Sequence, residues 1–131
     1  NRHHICWKPS SFPCIAAKPA EECISDEAEN MAEDCLFLDI WRPPRGSSSD
    51  PKAVMVVIHG GSMTVGSGAD HNGSLLSARQ DVIVVAVNYR LGPLGFLPLR
   101  PFGSPGAGSG GMNGLHDQLV ALQWVQANIA S

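Results

Sequence analysis

The sequence predicts an α/β fold with a partly parallel sheet. Two continuous runs of uncharged, mostly β-branched residues, Ala53 to Ile58 and Val82 to Val87, are typical of short strands buried on both faces of a parallel sheet. The segment 72–79 between them can hold a short helix, so the two runs predict a strand–helix–strand crossover. Apolar residues at helical spacing between residues 113 and 130 predict a longer helix against the sheet.

The other segments are predicted to hold one more strand and three irregular connections. Leu36 to Trp41 alternates between two faces with a period of two, and Arg42-Pro43-Pro44 ends this strand. Residues 1–34 show no sustained period and predict an irregular covering loop. Turn-forming residues predict a solvated linker over 45–52, and the Gly/Pro-rich stretch 91–111 predicts a long loop.

The final helix is predicted to bury one apolar face. Asn113 is the predicted N-cap, and Asp117 falls in the first turns, where a carboxylate suits the helix dipole. The predicted face consists of apolar residues three or four positions apart: Leu115, Leu119, Leu122, Val125 and Ile129.

Composition excludes several classes of protein. The chain has 131 residues, of which 44% are hydrophobic and 16% charged, and its net charge is −3. These values allow at most one domain and exclude a disordered acidic tail and a polybasic nucleic-acid-binding arm. No apolar run reaches the ~18 residues that a membrane span needs. The sequence opens on Asn1 without an apolar leader, so we expect any signal segment to have been removed or not included.

The four cysteines indicate an oxidising compartment. Cys6, Cys14, Cys23 and Cys35 all fall within the first 35 residues, in a segment without a helix or strand period. An even number of crowded cysteines predicts two disulfides and therefore a secreted or lumenal protein. Spacing alone leaves all three connectivities open.

The motif His59-Gly60-Gly61-Ser62 directly follows the first buried run. Glycines at this place let the backbone turn sharply and present N–H groups to a cavity, because no side chain blocks the approach. Such N–H groups can stabilise the oxyanion of an acyl-transfer transition state. A glycine turn without a chemical role is the alternative that these four residues leave open.

Four ordered blocks then carry a resemblance to a known family: Glu33 to Trp41, Val54 to Ser62, Val82 to Leu97 and Gly114 to Ile129. They resemble the EDCLYLN, IHGGG, NYRxGxxGFL and DQxxALxWVxxNI signatures of the type-B carboxylesterase and cholinesterase family. The resemblance covers about residues 12–131.

The resemblance implies an α/β-hydrolase fold that is incomplete without the rest of its domain. Residues 1–131 would be the amino-terminal part of one domain, with 1–34 as a disulfide-bearing loop region and 35–131 as the start of the mostly parallel central sheet. In the family's strand order, 53–58 lies between 82–87 and a strand that this sequence lacks. We therefore expect the remainder of the domain to be the partner of this chain, because an apolar strand with an open edge is an aggregation template.

The resemblance also implies roles for the glycine motif. It places Gly60, Gly61 and Ser62 on an oxyanion-hole loop, with Gly61 and Ser62 supplying the backbone N–H groups. Ser62 stands where the family usually has a third glycine, and its Cβ is expected to restrict the backbone to ordinary dihedral angles. Met63 replaces an aromatic residue that is common in the family, which would alter the acyl pocket.

Arg90 and Asp117 occupy positions that form a buried structural salt bridge in the family. The sequence alone leaves two unrelated surface charges as the alternative. His116 lies beside Asp117, but adjacent helical residues point about 100° apart, so these two side chains are not expected to form a catalytic relay.

Two covalent features are expected. By resemblance, Cys35 pairs with Cys14, which leaves Cys6 to pair with Cys23. Asn72-Gly73-Ser74 fits the N-glycosylation acceptor rule, and it equally fits a turn before the next helix.

The family's nucleophile is missing, because no serine in the sequence has glycines two positions away on both sides. We expect the serine, acid and histidine of the triad to lie beyond this chain. The predicted function is therefore part of a serine hydrolase that acts on small carboxylic esters and needs no cofactor or metal. The alternative is a non-catalytic relative that serves adhesion, scaffolding or a larger assembly as an accessory subunit.

Overall fold

The computed structural model describes residues 34–44, 51–98 and 111–129, together with the backbone of residues 2–6. These residues form a mixed sheet with helices on both of its faces, so the α/β class predicted from the sequence is confirmed. The strands are β1 (Arg2–Cys6), β2 (Phe37–Trp41), β3 (Val54–Ile58) and β4 (Ile83–Val87). The helices are α1 (Ser74–Gln80), α2 (Gly92–Phe96) and α3 (Asn113–Asn128), and a 3-10 turn occupies Gly68–Asp70.

The sheet has the strand order β1-β2-β4-β3. β1 and β4 both run antiparallel to β2, whereas β3 and β4 are parallel and pair in register from Val54 with Ile83 to Ile58 with Val87. The chain reaches β4 from β3 through α1, which confirms the predicted crossover. β3 is an edge of this sheet among the described residues.

Three local predictions were wrong. Residues Arg2–Cys6 were expected to be irregular but form β1, because β2 offers them a full antiparallel register. Gly92–Phe96 forms a short helix inside the predicted long loop, and Pro93 in its first turn favours helix initiation. Asn113 is the first residue of α3 rather than its N-cap, and its Nδ2 donates to the Leu94 carbonyl.

The core lies on both faces of β2 and β4. One face carries Leu38, Ile40 and the odd-numbered residues of β4, and α3 covers it with Ala121 and Val125. The other face carries Trp41, Val84 and Ala86. On that side α1 is fixed to the sheet by the buried Ser77 hydroxyl, which donates to the Trp41 carbonyl over 3.2 Å.

The buried face of α3 differs from the predicted one. Leu115, Leu119 and Leu122 are exposed, and the helix buries a row that contains two small residues and one carboxylate: Gly114, Asp117, Ala121 and Val125. Small residues bring the helix axis close to the sheet, and the ion pair of Asp117 fixes its rotation. Two predicted members, Val125 and Ile129, pack against the core, whereas the three leucines face away from it.

β3 also departs from the prediction, because it is not buried on both faces. Val54, Met55 and Ile58 are exposed, and only Val56 and Val57 are partly covered by the core clusters. The outer edge of β3 and the three leucines of α3 thus present apolar surface. No described helix is long and apolar enough to cross a membrane.

Candidate active site

The candidate site lies where β3 and β4 end. Because these strands are parallel, the loop that begins at His59 and the loop that begins at Asn88 leave the same edge of the sheet. Carboxyl ends of parallel strands are the usual place for ligands in α/β sheets. Gly60 to Ser62 and Arg90, which were all predicted from the sequence to have a role, therefore share one edge.

Three hydrogen bonds join the two loops. The Tyr89 hydroxyl donates to the His59 carbonyl over 2.8 Å, and the Asn88 Oδ1 accepts from the Gly68 N–H at 2.8 Å. The Gly92 N–H donates to the Met63 carbonyl over 2.7 Å. The first loop is consequently fixed at its beginning, middle and end. Burial raises the pKa of Tyr89 above its ordinary value, so this phenol is neutral at physiological pH.

Gly61 turns the first loop sharply. Its φ is +119°, and a Cβ at this position would lie 2.0 Å from the Val65 carbonyl oxygen, so only glycine fits. The Gly61 carbonyl accepts three hydrogen bonds, from the Thr64 N–H at 3.0 Å, the Val65 N–H at 3.1 Å and the Thr64 hydroxyl at 3.1 Å. These bonds fix the orientation of the peptide group between Gly61 and Ser62.

The preceding peptide group is fixed as well. The Gly60 carbonyl lies 2.9 Å from Nδ1 of His59, which donates to it when the proton is on that nitrogen. Gly66 leaves room for this contact, since a Cβ there would lie 2.5 Å from the Gly60 oxygen and 2.6 Å from His59 Nδ1.

The N–H groups of Gly61 and Ser62 have no hydrogen-bond acceptor within residues 34–44, 51–98 and 111–129. Each N–H belongs to a trans peptide group whose carbonyl is bonded on the opposite side. Two adjacent, oriented donors can bind one anionic oxygen. This arrangement can stabilise the charge that develops when a carbonyl is attacked.

One prediction about Ser62 was wrong. Its Cβ was expected to keep the backbone in ordinary dihedral angles, but Ser62 has a φ of +53° and Met63 a φ of +63°. Both are left-handed conformations that normally cost a residue with a side chain about 1–2 kcal/mol. The hydrogen bonds from Thr64, Val65 and Gly92 hold the turn in this form despite that cost.

The structure also brings Arg90 and Asp117 together. The guanidinium donates from Nη2 to Oδ1 at 2.6 Å and from Nε to Oδ2 at 2.7 Å. The hydrogen bond to Asp117 raises the pKa of Arg90, so the guanidinium remains charged. His116, the next residue on the helix, is exposed while Asp117 is buried, in agreement with the expectation that they form no relay.

Several predicted residues lie outside this site. Cys14 and Cys23 are outside the described residues, Cys6 is described by its backbone alone, and Cys35 is half-buried. The two disulfides therefore stay predictions. Asn72 is exposed, and its Oδ1 accepts from the Ser74 N–H at 2.9 Å in the turn before α1.

Sequence reasoning missed the residues that support the glycine motif. The contacts that fix the loop are formed by His59, Gly66, Asn88 and Tyr89, for which the sequence predicted no such supporting role. A signal was available, because His59 and Tyr89 each follow a buried run of the predicted parallel pair. Polar residues at the ends of neighbouring parallel strands are expected to meet.

Comparison with known proteins connects this geometry to a family. The model of the carboxylesterase family matches residues 6–131, nearly the whole chain. The chain is 45% identical over 100 residues to a cocaine esterase of Oryctolagus cuniculus and 47% identical over 100 residues to carboxylesterase 3B of Mus musculus. It is 45% identical over 129 residues to the para-nitrobenzyl esterase of Bacillus subtilis.

The matches cover most of this chain but little of each relative. They include 76% of the chain for the two mammalian proteins and 97% for the bacterial one. The matched regions amount to 18%, 17% and 24% of those relatives, in the same order.

Proposed function

Because this chain belongs to the carboxylesterase family, we propose that it is the amino-terminal part of an α/β-hydrolase domain that cleaves small carboxylic esters. In this proposal Gly60, Gly61 and Ser62 form the oxyanion-hole loop. The serine nucleophile, the acid and the histidine of the triad belong to the remainder of the domain. The relatives named above, all esterases by name, support an ester as the substrate class.

The observation that carries the proposal is the pair of oriented N–H groups at Gly61 and Ser62. Both lie at the carboxyl edge of the parallel pair, and neither has an acceptor among the described residues. The next N–H groups along the turn, those of Thr64 and Val65, pair internally with the Gly61 carbonyl, whereas those of Gly61 and Ser62 do not. Unpaired, oriented donors suit an oxygen that arrives with a substrate.

The chemistry follows from this placement. Attack of a serine oxygen on the ester carbonyl forms a tetrahedral intermediate, and its oxyanion accepts hydrogen bonds from the Gly61 and Ser62 N–H groups. Collapse expels the alcohol and leaves an acyl-enzyme. Water then attacks the acyl carbonyl, and the same two donors stabilise the second oxyanion. Loss of one such donor typically lowers kcat about 10²- to 10³-fold.

We further propose that the remainder of the same polypeptide covers β3 and α3. Both elements present apolar side chains to solvent, and β3 has an unpaired outer edge in the described sheet. An open edge of this kind favours aggregation unless another strand pairs with it. The matched regions are only 18% and 17% of the two mammalian relatives. Their remaining length supports the proposal that a longer polypeptide covers these elements.

Expression of residues 1–131 alone tests that assignment. We expect aggregation or a non-cooperative unfolding transition, and we expect the longer polypeptide to be soluble and to unfold cooperatively. A soluble monomer of residues 1–131 that unfolds in one cooperative step would contradict the assignment.

A second candidate function is a non-catalytic domain used for adhesion, scaffolding or as an accessory subunit. The observation that favours it is Ser62, which replaces the family's usual glycine and adds strain to the loop. A p-nitrophenyl phosphonate separates the two functions, because an activated serine attacks its phosphorus, becomes phosphonylated and releases one nitrophenolate per site. Stoichiometric release by the full-length protein supports the esterase. Absence of release from protein that is folded and carries a G-x-S-x-G serine would refute it in favour of the second candidate.

We also propose a secreted or lumenal location, which rests on the four cysteines of the first 35 residues. Protein isolated without reductant should contain the Cys14–Cys35 and Cys6–Cys23 disulfides in a peptide map. Reduction before alkylation is the control, since it should convert all four to alkylated cysteine. Four alkylated cysteines without reduction would contradict this location.

A further inference from the structure

Tyr89 holds the first residue of the glycine motif from two directions. Its ring stacks on the His59 imidazole with centroids 4.5 Å apart and an angle of 22° between the planes. Its hydroxyl donates to the His59 carbonyl over 2.8 Å. Both residues are buried, so these contacts are shielded from competing water.

The stack fixes the imidazole where it meets the loop. With the ring held by Tyr89, Nδ1 of His59 stays 2.9 Å from the Gly60 carbonyl oxygen. A Cβ at position 66 would clash with both atoms of this contact, so the loop packs closely around His59 Nδ1 and the Gly60 oxygen.

The Gly60 carbonyl in turn determines where the Gly61 N–H points. The two groups belong to one planar trans peptide unit, in which C=O and N–H point in opposite directions. Rotation of this unit would therefore break the contact with His59 and change the direction of the Gly61 N–H. The orientation of the Gly61 donor depends on His59, and the orientation of His59 depends on Tyr89.

We infer that Tyr89 is a positioning residue for the oxyanion donor at Gly61. It touches neither the substrate nor the reacting atoms and acts through His59 and the Gly60 carbonyl. The inference rests on the proposed esterase function, because only a reaction that develops an oxyanion would register the direction of this N–H. It predicts an effect on transition-state binding with little effect on ground-state binding.

The test compares Tyr89→Phe with Ser77→Ala in the full-length protein. Tyr89→Phe keeps the ring stack and removes the hydrogen bond to His59. Ser77→Ala is the matched control, because it also removes a buried hydroxyl that donates to a main-chain carbonyl, but on α1 and at Trp41. Active sites are counted in each preparation with a p-nitrophenyl phosphonate, and kcat and KM for a p-nitrophenyl ester are expressed per titrated site.

For Tyr89→Phe we expect kcat per site to fall about tenfold, the usual effect of one hydrogen bond, with KM within about twofold of wild type. Affinity for a trifluoromethyl ketone, which binds as an oxyanion-bearing adduct, should fall by a similar factor. Ser77→Ala should keep both values per site, whatever its thermal stability. Tyr89→Leu, which also removes the stack, should lower kcat per site further than Tyr89→Phe.

Normalisation to titrated sites removes the contribution of unfolded protein. An unchanged kcat per site in Tyr89→Phe, or an equal loss in Ser77→Ala, would overturn the positioning role while leaving the esterase function intact. A wild-type protein that neither releases nitrophenolate nor hydrolyses esters would refute the proposed function itself, and the role of Tyr89 with it.

Discussion

The Asp117 carboxylate accepts three hydrogen bonds from one residue, Arg90. Two come from the guanidinium, and the third comes from the main-chain N–H of Arg90 to Oδ2 over 3.0 Å. Asp117 is 3% exposed, whereas 35% of the Arg90 side chain remains accessible. Since Arg90 follows β4 and Asp117 belongs to α3, this pair fixes the helix to the edge of the sheet that carries the candidate site.

Asp117→Asn should destabilise the protein strongly. The amide keeps the shape of the carboxylate but cannot accept all three hydrogen bonds as an anion, and it leaves the Arg90 charge without its partner. We expect the free energy of unfolding to fall by about 3 kcal/mol, the lower end of the range for a broken buried pair, because Arg90 is partly solvated. Urea unfolding of the full-length protein measures this change.

The ion pair between Lys52 and Asp81 is the control. The Asp81 side chain is 41% exposed and the Lys52 side chain 17%, so the carboxylate is solvated, and ion pairs in contact with water contribute about 0–1 kcal/mol. Lys52→Gln should therefore change the free energy of unfolding by less than about 1 kcal/mol. A loss in Lys52→Gln as large as that in Asp117→Asn would contradict the larger contribution assigned to the buried carboxylate of Asp117.

The sequence predicted the parallel pair β3–β4 because two short apolar runs with a helix-sized connection leave few other arrangements. It did not predict which side of α3 is buried. Periodicity places Leu115, Leu119 and Leu122 on one face. It cannot show that a different face, which contains Gly114, Ala121 and the ion-paired Asp117, packs against the sheet. Within the described residues, no strand packs against the leucine face of α3. The hydrophobic pattern of a sequence shows that a face is apolar, but not which surface it packs against.

The sequence predicted the glycine motif of the candidate site, but it did not predict the conformation of the loop that contains the motif. Strand-end glycines pointed to Gly60, Gly61 and Ser62. The dihedral angles of Ser62 could not be read from its identity, because bonds from residues 64 and 65 to the Gly61 carbonyl impose them. The conformational propensities of residues 64 and 65 do not predict this turn, so the hydrogen bonds could not be predicted from the sequence.

Gly61→Ala should disrupt the loop, while Gly60→Ala should not. A Cβ at Gly61 would lie 2.0 Å from a main-chain oxygen and would sit on a residue with φ of +119°. A Cβ at Gly60 has no heavy atom within 4 Å and no unfavourable φ. We expect Gly61→Ala to lower the free energy of unfolding by more than about 2 kcal/mol and Gly60→Ala by less than about 1 kcal/mol. Thermal unfolding of both variants measures these changes. An equal decrease in the two variants would contradict the turn described at Gly61.

Ser62→Gly should stabilise the protein. Removal of the Cβ relieves a left-handed conformation worth about 1–2 kcal/mol, and the extra freedom of glycine in the unfolded chain offsets part of this gain. We expect a net increase of about 0.5–1 kcal/mol in the free energy of unfolding. Ser74→Gly in the first turn of α1 is the control and should have the opposite sign, because glycine disfavours helix. A decrease in Ser62→Gly would mean that the serine side chain stabilises the turn.

Asn72 should carry an N-linked glycan when the protein is made in a eukaryotic secretory pathway. Asn72 and Ser74 are exposed, and the buried Gly73 between them packs against Val84, near the start of β4. The acceptor is thus separated from the carboxyl edge of the sheet by most of a strand, about 10 Å. Ser74→Ala should abolish a gel shift that peptide N-glycosidase removes, whereas Ser74→Thr should keep it. An identical mobility of both variants and of the enzyme-treated protein would show that the motif is only a turn.

Stability above pH 10 should depend on Tyr89. Burial raises the pKa of Tyr89 in the folded protein above its ordinary value of about 10, so the unfolded chain loses this proton first as the pH rises. The contribution of Tyr89 is fully present below pH ~10 and is lost as the pH rises toward the folded-state pKa. Phenylalanine at position 89 in Tyr89→Phe cannot ionise, so this variant lacks the loss.

The difference in free energy of unfolding between wild type and Tyr89→Phe should be constant from pH 8 to 9 and should shrink above pH 10. Ser77→Ala, which adds and removes no titrating group, should stay parallel to wild type throughout. A difference between wild type and Tyr89→Phe that stays constant to pH 11 would mean that Tyr89 ionises equally in the folded and unfolded chains.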